Sequence, residues 1–116
     1  MDDILKQSLL YDFYGELLTE HQKEIYEDFV LNDLSLGEIA QERGISRQGV
    51  HDLVKRCNKI LNGYEEKLHL MERFTDTKSK VSSICELADI SEKNAGDNNE
   101  TIEKIKEIAN EILDNY

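Results

Sequence analysis

The sequence has no proline, no tryptophan, only two cysteines and only 14 Lys+Arg against 25 Asp+Glu. Without proline, nothing local forces a helix to stop except glycine and asparagine, which favours an all-α chain. The cysteines, Cys57 and Cys85, lie far apart and have no CxxC spacing. That excludes a disulfide framework and a zinc site, and it predicts two small buried hydrophobes in a cytoplasmic protein. No apolar run is long enough to cross a bilayer and no signal or transit peptide is recognisable, so a cytoplasmic location without membrane insertion is expected. The histidines, His21, His51 and His69, have no metal-ligand spacing. No nucleophile–base pair or phosphate-binding loop is recognisable either, so no enzyme activity, cofactor or metal is expected. The net charge of −11 argues against broad non-specific nucleic-acid binding, which draws its affinity from phosphate neutralisation.

What is present is helical periodicity throughout the 116 residues. The apolar positions Ile4, Leu5, Leu9, Leu10, Phe13, Leu17 and Leu18 predict an amphipathic helix over 3–17. Thr19 and Gln22 form a capping box that opens a second helix burying Ile25, Tyr26, Phe29 and Val30 and stopping near Asn32-Asp33. Ser35 and Glu38 form another, and Gly44 ends the third helix in a left-handed turn. Ser46 then caps a long fourth helix. Along it Cys57, Leu61, Tyr64, Leu68 and Met71 make a coiled-coil-like seam, with a break or new cap at Thr75-Asp76-Thr77. Val81, Ile84, Cys85, Leu87 and Ala88 mark a fifth helix, Ser91–Asn99 a polar loop, and the stripe from Ile102 to Leu113 a final helix. The expected organisation is a 1–74 domain and a 75–116 helical extension, packed on the same core or at a homodimer interface.

The stretch Leu36–Leu53 reads as a helix-turn-helix. Ala40 sits where two helices cross, Gly44 makes the turn, and Val50 packs back, while Ile39, Ile45 and Leu53 fill the space between. With Leu18-Thr19, Gln22 and Leu34-Ser35 before it and Lys55-Arg56-Cys57 after it, this stretch resembles region 4 of bacterial sigma factors over residues 18–61. The start Leu10-Tyr11-Asp12-Phe13-Tyr14-Gly15, with Ser46-Arg47-Gln48-Gly49-Val50-His51-Asp52, is similar to the YlxM-like family over the whole chain. The resemblance implies an all-α fold with a helix-turn-helix that lacks a wing, an N-terminal helix and C-terminal bundle helices. It also implies a regulatory role in the signal recognition particle pathway, inferred from gene neighbourhood, and it brings no catalytic residues.

Val50, Leu53, Val54, Cys57 and Leu61 are expected to face inward on the fourth helix. That leaves Arg47, Gln48, His51, Asp52 and Lys55 outward. Arginine and glutamine near a recognition helix's N-terminus suit guanine and adenine edges. Arg43, Lys55, Arg56 and Lys59 suit phosphates, as do the free N–H groups at Ser46. Residues 43–59 carry Arg43, Arg47, Lys55, Arg56 and Lys59 against Asp52 alone, a local +4. Asp52 suits a cytosine amine but repels phosphate. Gly49 either admits a partner or is a tolerated surface glycine. The equally weighted alternative is a solvated polar face on an inert helix. Two functions stay open: a DNA-binding transcription regulator, or an adaptor whose acidic surface meets signal recognition particle RNA or its GTPase. A homodimer would set two recognition helices about 34 Å apart.

Overall fold

The computed structural model describes residues 4–93 and 98–115. Among these, six helices and no strand are present: α1 Ile4–Tyr14, α2 Glu20–Val30, α3 Leu36–Arg43, α4 Arg47–Leu68, α5 Leu70–Lys93 and α6 Asn99–Asp114. A single 3₁₀ turn, Gly15–Leu17, follows α1. The chain divides into two compact units, Met1–Met71 and Glu72–Tyr116.

Short-range chemistry sets the helix starts in the first unit. Thr19 Oγ1 accepts from Gln22 N at 3.2 Å while Thr19 N donates to Gln22 Oε1 at 3.0 Å. Ser35 and Glu38 repeat the exchange at 3.1 and 3.0 Å. Each box satisfies N–H groups that a helix end otherwise leaves open. The Ser35 backbone and side chain hold the Glu38 carboxyl below the usual carboxylate range. Gly44 closes α3 at φ +68°, as expected for the left-handed turn.

The core of this unit is one cluster built on α1, α2, α3 and α4, centred on Leu10, Tyr14, Ile25, Tyr26, Ile39, Val50, Cys57 and Leu61. Ala40, Ile45 and Leu53 pack against it half-buried, which completes the helix-turn-helix interior. The face that α1 buries differs from the expected one. Gln7, Leu10, Tyr11 and Tyr14 point inward, whereas Ile4, Leu5 and Leu17 are exposed. The tyrosines can bury their rings because their hydroxyls reach acceptors at the edge: Tyr11 donates to Glu27 Oε1 and Tyr14 to Glu65 Oε1, both at 2.6 Å. Tyr26 likewise donates to Asn58 Oδ1.

The expected break at Thr75-Asp76-Thr77 does not occur. It lies at His69, in the left-handed region at φ +56°. There the Tyr14 hydroxyl accepts from Leu70 N at 3.0 Å and Glu65 Oε1 accepts from Met71 N at 2.9 Å. Side chains of α1 and α4 thus take the N–H groups that a new helix start leaves open. The seam is not a free contact surface either: Cys57 and Leu61 are fully buried in this unit's own core, and Leu68 points out at 47% exposure.

In the second unit, α5 runs on to Lys93 and α6 begins at Asn99, so the expected loop is shorter than Ser91–Asn99. Its centre, 94–97, lies outside the described residues. No described residue of α5 or α6 is buried. Lys80 pairs with Asp76 and Glu111 at 3.1 and 3.7 Å, and Asn115 Nδ2 donates to Asp76 at 3.4 Å. Ile84, Leu87, Ile105, Ile108 and Ile112 are half-buried, while Val81, Ile90, Ile102 and Leu113 stay exposed. Cys85 is exposed, against the expectation of a buried thiol; Cys57 is buried as expected.

Candidate nucleic-acid interface

Helix α4 begins at Ser46, whose Oγ accepts from Gly49 N at 2.9 Å. A Cβ on residue 49 would stand 3.1 Å from that same oxygen. The close neighbour of Gly49 is therefore the helix cap, so the glycine serves the cap. Past this point Val50, Val54, Cys57 and Leu61 turn inward and anchor the helix. Leu53 is half-buried beside them.

The rest of the first turns faces solvent. Ser46, Arg47, Gln48, His51, Asp52, Lys55, Arg56 and Lys59 are all exposed. The pattern follows from helical periodicity once the buried row is fixed. Asp52, Lys55, Arg56 and Lys59 line one open groove of about 540 Å³. Asp52 and Arg56 also border a second groove of about 340 Å³ that reaches Thr19 and His21 on the α2 side.

Asp52 is not a loose repulsive charge. Gln48 Nε2 donates to its Oδ1 at 2.9 Å, and His51 Nδ1 lies 3.5 Å from the same oxygen. The Gln48 bond, then the His51 bond and the charge of Lys55, hold its carboxyl below the usual carboxylate range. The carboxylate thereby steadies Gln48, which keeps its carbonyl and one N–H uncommitted.

Arg43 is placed differently from the phosphate contact expected of it. Its Nε donates to Asp28 Oδ2 at 3.0 Å, its Nη2 lies 2.9 Å from that oxygen, and Nη1 lies 3.4 Å from Glu24. Asp28 is buried on α2, so the pair clamps the end of α3 to α2 and neutralises a buried carboxylate. The bond to Asp28 and its charge raise the Arg43 pKa further. By contrast, among the described residues Arg47, Lys55, Arg56 and Lys59 form no ion pair, in a chain with 25 Asp+Glu. Sequence reasoning missed Gln7 and Asn58, which lie beside this face. The only signal of Gln7 was a polar letter on an apolar helix.

The comparisons agree with this architecture. Residues 1–108 match the family model described as "UPF0122: Putative helix-turn-helix protein, YlxM / p13 like". A UPF0122 protein of Thermoanaerobacter sp. (strain X514) is 47% identical over 111 residues, covering 96% of this chain and 94% of its own. One of Caldanaerobacter subterraneus subsp. tengcongensis is 52% identical over 85 residues, 73% of each chain. One of Clostridium kluyveri is 41% identical over 117 residues, 99% of each. Among the described residues no helix is long and apolar enough to cross a membrane. The chain belongs to the UPF0122 family of YlxM / p13-like helix-turn-helix proteins.

Proposed function

We propose that this protein is a non-enzymatic regulator that binds nucleic acid through the exposed face of α4, acting in the signal recognition particle pathway as the YlxM-like resemblance implies. One observation carries the reading: Arg47, Lys55, Arg56 and Lys59 stand exposed together along one capped helix and, among the described residues, form no ion pair. In this reading Arg47 and Gln48 contact base edges, and Lys55, Arg56 and Lys59 contact phosphates. The remaining acidic surface limits binding to this face and suits a basic protein partner such as the particle's GTPase. The exposed apolar residues of α5 and α6 support a homodimer built from the second unit.

The test is a set of binding titrations against duplex DNA and against signal recognition particle RNA over a range of salt. Arg56→Ala is expected to weaken binding and lower the log–log salt slope by about 1. Arg47→Ala is expected to lose discrimination between sequences. No retention of either nucleic acid at micromolar protein and low salt overturns the reading. Retention of DNA alone replaces the signal recognition particle with a transcriptional target.

A further inference from the structure

Beside the larger open groove, and sharing Lys55 with it, lies a recess of about 430 Å³ that involves α1, α2, α3 and α4. Its apolar lining comes from Ile4, Phe29, Leu36 and Val54. Its polar lining comes from Gln7, His51, Lys55 and Asn58, and among the described residues no carboxylate contributes.

Two of these polar groups are unspent. Gln7 is only 7% exposed, yet its amide makes no hydrogen bond among the described residues. The amide atoms keep solvent contact, since among the described residues no side-chain nitrogen or oxygen is both buried and unpartnered, so they are open to a ligand. Asn58 accepts from Tyr26 through Oδ1, which leaves its Nδ2 without an acceptor. The Lys55 ammonium forms no ion pair, and His51 stands beside it on the rim. The recess therefore presents several donors, an apolar floor and one aromatic ring. Its volume falls in the range of small-molecule sites, and it is too small to bury a helix.

We infer that this recess is a binding site for a small organic anion with an apolar, ring-sized body, the carboxylate or phosphate of which is held by Lys55 and the Asn58 and Gln7 amides. Charge complementarity selects the anion and volume selects the size. The site shares Lys55 and His51 with the face proposed above for nucleic acid, so an occupant there competes for a phosphate contact. That coupling rests on the proposed nucleic-acid reading; ligand binding itself does not.

The experiment is a titration of the full chain, uniformly labelled with nitrogen-15, with 4-phenylbutyrate and with its neutral amide. The side-chain NH₂ signals of Gln7 and Asn58 report directly. Saturable shifts of both signals with the acid are expected, with the amide binding about ten-fold more weakly, the equivalent of one charge-assisted bond. Lys55→Gln, a surface change that leaves the core intact, is expected to erase the difference between acid and amide. Gln7→Leu is expected to weaken the acid several-fold while the fold is kept. Equal affinity of acid and amide, or shifts confined to the exposed apolar residues of α5 and α6, overturns the site. Tighter binding of an acidic apolar peptide than of any small acid overturns the choice of occupant. If the acid binds but nucleic acid never does, the site stands and the nucleic-acid reading falls. If both bind without competition, the coupling falls.

Discussion

The two units of this chain are both helical and both acidic, yet they are held together by different means. The first closes a core in which Ile25, Tyr26, Ile39, Val50, Cys57 and Leu61 are completely buried. The second fully buries no described residue; Ile84, Leu87, Ile105, Ile108 and Ile112 are half-buried, beside polar contacts of Lys80, Asp76, Glu111 and Asn115. Hydrophobic burial drives folding, while exposed ion pairs contribute little. The first unit therefore carries its own stability. The second keeps an amphipathic surface, with Val81, Ile90, Ile102 and Leu113 in water, as a half-made interface would.

The largest effect that separates the units is a core truncation. Ile39→Ala removes a completely buried side chain between α3 and α4 and is expected to cost about 2–5 kcal/mol in urea unfolding. Ile102→Ala, at a position 43% exposed, is expected to cost less than about 1 kcal/mol. Under the proposed homodimer, its effect should appear in sedimentation equilibrium, as a shift toward monomer. Equal losses from the two substitutions would erase the distinction.

A smaller contrast concerns charge. Arg43→Met leaves Asp28 buried without its cation and is expected to lower the urea midpoint clearly, with partial recovery in Arg43→Met/Asp28→Leu. Lys104→Met removes a solvent-exposed i,i+4 pair with Glu100 and is expected to leave the midpoint unchanged. Smaller again is the cap. Ser46→Ala frees the Gly49 N–H and is expected to cost about 1 kcal/mol, read as early fraying of α4 by hydrogen exchange. A loss at Lys104 as large as that at Arg43 would show that polar contacts hold the second unit as firmly as the first.

These contrasts also mark what the sequence could reveal. The two capping boxes, the Ser46 cap and the Gly44 turn were legible because each involves residues a few positions apart. The outward face of α4 was legible because one buried row on a helix determines the opposite row. The Arg43–Asp28 clamp joins residues 15 apart, and the Tyr14–Leu70 contact at the His69 break joins residues 56 apart, so no local pattern carried them. The buried face of α1 was misread because tyrosine and glutamine score as polar letters. The burial of Tyr11 and Tyr14 depends on acceptors at Glu27 and Glu65 that arrive from other helices. The recess at Gln7 was hidden because its lining comes from four helices far apart in sequence.

The gentlest probe of the comparison uses the two thiols, one in each unit. Burial pushes the Cys57 thiol up to about 11, whereas Cys85 is exposed. At neutral pH a thiol reagent is expected to label Cys85 at once and to reach Cys57 only through opening of the first unit's core. A Cys57 held protonated in the folded chain ionises first in the unfolded one. Its contribution to stability is therefore complete below the ordinary thiol value of 9.0 and is lost as pH rises toward 11. Tyr11 and Tyr14 act in the same direction, since burial raises both, followed by their hydrogen bonds to Glu27 and Glu65. Alkaline titration should thus bring Cys57 labelling forward in step with loss of near-ultraviolet tyrosine dichroism. Labelling of Cys57 at neutral pH as fast as that of Cys85 would mean that the first unit's core opens freely, and the contrast between the units would fail.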